Sequence, residues 1–235
     1  MTKKKGSSFE DELIDDLNSS FAKKSSNATA SYLWQSTADV KNWISTGSFM
    51  LDLVLSNRKD GGIPTGRLTE ISGGEGAGKT LLASYILADT QRKGGVAILI
   101  DSEHAASMDV LKASGVDVEK LVYSQCNTIE DVFHAMERIV SMVKTSGQDR
   151  PITIVWDSVA ATSSRAEVEG NYGDATVGLA ARLISQALRK YIPICSKHNI
   201  CLVFINQLRT KIGVSFGDNN VTPGGGMCLA PLVCV

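Results

Sequence analysis

The sequence predicts an α/β protein, a mostly parallel β-sheet flanked by helices, with a short helical arm at its N-terminal end. Three observations lead there. Short apolar runs alternate with segments of helical period, the pattern of a parallel sheet covered on both faces. One of these runs passes straight into a glycine-rich octapeptide that opens a helical segment. Before them, from residue 1 to about 32, the chain is polar apart from one amphipathic stripe.

Composition sets the limits. The chain has 235 residues of which 43% are apolar, enough for one well-buried core. With 24 Lys and Arg against 25 Asp and Glu the net charge is −1, so any contact with a polyanion is local rather than global. The five cysteines (126, 195, 201, 228, 234) are odd in number and form no CxxC pair, which argues against disulfides and zinc and for a reducing cytoplasm. Apolar stretches such as 200–205 and 227–235 fall short of the ~20 residues of a membrane helix, so no membrane partner is expected.

In the arm, Phe9, Leu13, Leu17 and Phe21 recur every four residues behind a capping box of Ser7 and Glu10. The stripe docks either on a partner surface or on the chain's own domain. Strands are expected at 68–72, 96–101, 121–125, 152–157 and 200–206, and helices at 79–92, 108–114, 129–145 and 177–198, the last interrupted near Pro193. The organisation predicted is an arm and linker over 1–33, a catalytic core over 34–226 and an atypical tail over 227–235.

The octapeptide Gly73, Gly74, Glu75, Gly76, Ala77, Gly78, Lys79, Thr80, followed by Leu81, has the form GxxxxGK[ST] between a strand and a helix, the phosphate-binding loop. Its glycines let successive backbone N–H groups approach phosphate oxygens at a helix N-terminus. Lys79 adds charge at the β- and γ-phosphates, and the Thr80 hydroxyl suits magnesium. The apolar run 152–157 ends in Asp157, the second magnesium-side carboxylate such a loop needs. Strand 96–101 runs into Asp101 and Glu103. Glu103 is the candidate for orienting the water that attacks the γ-phosphate, with Asp101 a turn or cap residue and His104 packed or capping. Strand 200–206 delivers Asn206 and Gln207 to the same edge. Gln207 either contacts the γ-phosphate, as a switch for the glycine-rich segment behind it, or caps the strand end.

That segment, 207–226, reads QLRTKIGVSFGDNNVTPGGG and sustains neither strand nor helix period. Arg209 and Lys211, the apolar Ile212, Val214 and Phe216, and the glycines Gly213, Gly224 and Gly225 suit single-stranded DNA. A second irregular stretch, 165–174, precedes a helix carrying Arg182 and Arg189, seven apart on one face, which is either a DNA-facing or a plainly solvated surface.

Taken in order, ISTGSFMLDLVL, GGEGAGKT, IDSEHA, GVDVEKLVYSQ, VWDSVAA, AEVEGNYGD, GLAARLISQALRK and INQLRTKIGVSFG resemble the RecA recombinase family of bacteria and phages, over residues 44–225. The resemblance implies a RecA-type P-loop NTPase core that binds ATP with magnesium, with Lys79, Glu103 and Gln207 catalytic. It implies two DNA loops, 167–174 and 209–225, and contacts to the DNA backbone from Arg182, Ser185 and Arg189. It implies a homo-oligomeric helical filament on single-stranded DNA that pairs with double-stranded DNA and exchanges strands, in recombination, DNA repair and the SOS response. The arm resembles the family's N-terminal helix, which packs on a neighbouring subunit.

Two departures stand out. Ser107 and Val110 fall where family members carry an Asp and a Tyr beside adenine. The family's further strands and C-terminal domain do not follow residue 226, which suggests weak hydrolysis, because interface-crossing lysines belong there, and an uncovered sheet edge prone to aggregation. The alternatives are a non-hydrolysing module that binds ATP and single-stranded DNA or modulates filaments, and another ATPase of the same fold, helicase or clock type.

Overall fold

The computed structural model describes residues 8–24, 28–32, 40–147, 150–170, 178–210, 220–221 and 233–234. It divides into two compact units, Met1–Asp39 and Val40–Val235.

The first unit contains α1 (Phe9–Lys23). The capping box lies one residue later than the sequence suggests. The helix starts at Phe9, so Ser8 is the N-cap, its Oγ accepting from Asp11 N while Asp11 accepts from Ser8 N. Residues 28–32 run back along the helix: Asn18 exchanges two hydrogen bonds with the Ala30 backbone and Tyr32 donates to Asp11. The stripe is mostly exposed, Phe9 at 75% and Leu13 at 47%.

In the second unit, β1 (Trp43–Ile44) pairs antiparallel with β2 (Ile63–Pro64) around α2 (Phe49–Ser56). The main sheet follows: β3 (Leu68–Gly73), α3 (Lys79–Arg92), β4 (Val96–Asp101), α4 (Met108–Ala113), β5 (Val122–Gln125), α5 (Ile129–Ser146), β6 (Ile152–Asp157), a 3-10 turn, α6 (Arg165–Glu169), α7 (Leu179–Lys197) and β7 (Ile200–Gln207). Two-residue strands β8 (Arg209–Thr210), β9 (Asn220–Val221) and β10 (Val233–Cys234) come last. The sheet order is β10-β3-β7-β6-β4-β5 and every pair in it is parallel.

Both sheet faces are buried, which is why the strands read as unbroken apolar runs. Alternation sorts their side chains: Ile98, Ile100, Ile154, Trp156, Leu202 and Phe204 pack under α5 and α7, while Leu99, Val155, Val203 and Ile205 pack under α3 and α4. The predicted α/β class and parallel sheet are borne out. No described helix is long and apolar enough to cross a membrane.

Four local expectations are corrected. Helix α7 runs through Pro193 without a break, because Ile184, Leu188, Tyr191 and Cys195 keep one stripe buried on the sheet on both sides of it. Part of the stretch read as irregular is α6, nucleated by a capping box between Ser164 and Glu167. The segment after Gln207 does carry strand pairing, β8 against β9 with Arg209 opposite Val221. The sheet edge expected to lie open has a backbone partner, since Val233 and Cys234 pair with Thr69 and Glu70, supplying groups that an edge strand otherwise leaves unbonded.

Candidate nucleotide-binding site

Parallel register carries the chemistry to one edge. Asp101 pairs with Asp157 and Gly73 with Gln207, so β3, β4, β6 and β7 all end together around a cavity of about 390 Å³. Glu75, Gly76, Ala77, Gly78, Lys79, Thr80 and Leu81 line one wall, and Glu103, Asp157 and Gln207 line the other. Ser107 and Val110 belong to the same lining. Gly73 and Gly74 stand just outside this lining, as the loop's entry from β3.

The loop's glycines have separate reasons. Gly76 and Gly78 have φ of +70° and +85°, a region that side chains rarely adopt, and Gly78 caps α3 in that conformation. Gly74 has neither a positive φ nor a neighbour within 4 Å of where a Cβ would stand. Among the described residues nothing demands glycine there, so the bare backbone leaves room for something outside them. Lys79 Nζ donates to the carbonyls of Gly73 (3.2 Å) and Gly74 (2.7 Å), bracing the loop from within.

Thr80 Oγ1 donates to Asp157 Oδ2 at 2.7 Å, which brings the two candidate magnesium residues into contact. Burial, reinforced by the negative charges of Glu103 and Asp101, pushes the Asp157 carboxyl up to about 6, against the pull of the Thr80 hydroxyl and Lys79. A carboxylate and a hydroxyl presented together under this strain suit a hard divalent cation, whose charge would reverse the penalty. The donor set therefore fits magnesium, and the open backbone at Gly74 fits a phosphate.

The Glu103 carboxylate accepts from Gln207 Nε2 at 3.2 Å and from the hydroxyl of Ser158 on the same oxygen, Oε1. Asp101 is 3% exposed and accepts from the backbone of Glu103, Ala105 and Ala106 and from the Tyr123 hydroxyl. It lines the cavity only as the residue that holds the turn carrying Glu103, its oxygens being taken by these internal donors. His104 has a φ of +54° and its Nε2 lies 2.9 Å from Asn127 Oδ1. Of the two amides at the end of β7 only Gln207 reaches the cavity. Asn206 is buried and donates to Glu70, because successive strand residues point to opposite faces. Sequence reasoning passed over Ser158 and Tyr123, and the available signal for Ser158 was its place directly after Asp157.

On α7, Arg182 and Arg189 are exposed and neither forms an ion pair among the described residues, whereas Ser185 is half-buried with Oγ donating to Ala181 O at 2.7 Å. Arg209 enters the β8 ladder through its backbone. Lys211, Ile212, Gly213, Phe216, Gly224 and Gly225, and residues 171–174 of the other candidate loop, lie outside the described residues.

A sequence model of the RecA N-terminal domain matches residues 11–230. The chain is 50% identical over 182 residues to the protein RecA of Rubrobacter xylanophilus, covering 77% of this chain and 50% of that one. It is 49% identical over the same length to the protein RecA of Thermus aquaticus, covering 51% of it, and 48% identical to that of Clostridium acetobutylicum, covering 50%. The chain thus spans about half the length of the curated relatives it matches.

Proposed function

The chain belongs to the RecA family, and from that premise we propose that it is an ATP-dependent recombinase. In this reading it assembles as a filament on single-stranded DNA in the cytoplasm, pairs the strand with homologous duplex and hydrolyses ATP when bound to DNA. The observation that carries the reading is the bond from Gln207 to Glu103 at the cavity wall. It ties the strand that leads into the candidate DNA loop to the carboxylate best placed for hydrolysis.

The backbone of residues 74–78 and Lys79 receive the phosphates, and Thr80 and Asp157 hold the magnesium, which when bound neutralises charge on the phosphate oxygens. Glu103 orients the attacking water and takes its proton. Gln207 is an uncharged donor that bonds either the γ-phosphate or Glu103. A γ-phosphate that draws the amide away from Glu103 shifts the end of β7, and with it the segment that grips DNA, so the nucleotide favours the DNA-binding state by a differential contact.

The test is the affinity for a fluorescent single-stranded oligonucleotide with and without ATP and magnesium, at one stated salt concentration. ATP should tighten binding at least tenfold, and equal affinity in both conditions would reduce the reading to a bare nucleotide-binding domain. A second reading is a non-hydrolysing module that binds ATP and single-stranded DNA. DNA-stimulated phosphate release separates the two.

A further inference from the structure

Ser158 follows the last residue of β6, is 1% exposed, and its hydroxyl donates to Glu103 Oε1, a side chain 55 positions away in sequence. Its own backbone is held from behind: the Ser158 carbonyl accepts from Thr162 Oγ1 at 2.7 Å and from Ser102 Oγ at 3.0 Å. Thr162 in turn accepts from the buried Trp156 indole at 3.0 Å. The hydroxyl is therefore carried on a braced, buried backbone. Glu103, by contrast, is an exposed side chain with several rotors, and its other partner, Gln207, is itself a flexible amide.

Both donors meet on Oε1, and among the described residues Oε2 of the same carboxylate has no hydrogen-bond partner while Glu103 lines the cavity. We propose that Ser158 is a positioning residue: its hydroxyl anchors Glu103 Oε1 so that Oε2 is the atom left to accept the proton of the attacking water. The inference rests on the hydrolytic reading above. In the step it serves, the water oxygen forms a bond to the γ-phosphorus and the bond from that phosphorus to the β,γ-bridging oxygen breaks. The electron pair leaves on ADP, and the water's proton passes to Oε2. The anchor also gives the switch a default. If Gln207 turns to a γ-phosphate it releases Glu103, and Ser158 keeps the carboxylate in place at the moment the base is needed.

The experiment measures DNA-stimulated ATP hydrolysis by the full chain and by Ser158→Ala, Ser158→Cys, Glu103→Gln and the double variant Ser158→Ala/Glu103→Gln. Misorientation of the base should lower kcat about tenfold in both Ser158 variants with KM for ATP within about twofold, and Ser158→Ala should have no further effect when Glu103 is already Gln. Cysteine keeps the site filled with a slightly larger group and a far weaker donor, so a packing role would largely spare Ser158→Cys and a positioning role does not. Unchanged kcat in Ser158→Cys, or losses that multiply in the double variant, would overturn the assignment alone. Absence of turnover by the unaltered chain, or full activity of Glu103→Gln, would overturn the hydrolytic reading and this inference with it.

Discussion

The carboxyl edge of the sheet and the outer face of α7 are built on opposite plans. At the edge the polar side chains bond one another: Lys79 to its own loop, Thr80 to Asp157, Gln207 and Ser158 to Glu103, Tyr123 to Asp101. On α7 the two arginines stand exposed without an ion pair among the described residues. The contrast teaches where organisation comes from. The nucleotide edge is arranged by the fold itself and a ligand has only to replace internal partners. The α7 face is a pair of exposed charges without such internal bonds, and any order there would have to come from a ligand.

The strongest way to break this comparison is to empty the edge of its cation. Lys79→Ala removes two bonds to loop carbonyls, and Lys79 is not among the buried core residues. ATP affinity should fall at least a hundredfold and nucleotide-dependent DNA binding should vanish, while the melting temperature stays within a few degrees. A fluorescent-nucleotide titration beside a thermal scan checks both halves.

The α7 face should respond in the other currency. Arg182→Ala combined with Arg189→Ala is expected to weaken single-stranded DNA binding about tenfold or more and to leave ATP affinity alone. If each arginine meets one phosphate, the slope of log affinity against log salt should become shallower by about 1.4. An unchanged slope would mark the face as merely solvated.

Gly74 sharpens the same comparison from inside the loop. Because a Cβ there meets nothing within 4 Å and φ is not positive, Gly74→Ala should fold as stably as the parent. If the bare backbone serves a phosphate, ATP affinity should still drop, by roughly tenfold. Parallel measurements of stability and affinity would expose any internal reason for the glycine.

How much of this was visible in the sequence follows from which signals are local. Strands β4 and β6 and helix α3 have the predicted bounds, because a fully buried parallel strand is a continuous apolar run and the phosphate loop marks where its helix starts. Helix α2 escaped notice for a physical reason: Phe49, Met50, Leu53 and Val54 are exposed while Asp52 is buried, so its apolar residues do not mark its inner face. Lys79, Thr80, Glu103, Asp157 and Gln207 were nameable from motifs, and the fold brings all five to one cavity. The fates of Ser158 and Asn206 were not, since they depend on strand register and on which face of the sheet each side chain takes. Neither leaves a trace in local spacing.

The smallest expected effect tests whether the edge is organised at a cost. Asp157 carries its carboxyl in a buried place shared with Glu103 and Asp101, and its pKa rises from an ordinary 3.8 to about 6. A carboxyl whose folded pKa lies above its unfolded value destabilises the fold once it must ionise: the penalty is absent below pH 3.8, grows as the pH rises through about 6, and is complete above that. Asp157→Asn removes the charge and keeps an oxygen for the Thr80 hydroxyl to donate to. Without nucleotide and magnesium the variant should therefore be the more stable one at pH 8, by about 1–3 kcal/mol, and should match the parent near pH 4. Adding magnesium and ATP should invert the order, stabilising the parent and leaving the variant nearly unmoved. Thermal melts at the two pH values, with and without the ligands, distinguish a carboxylate kept for a cation from one that merely supports the sheet edge.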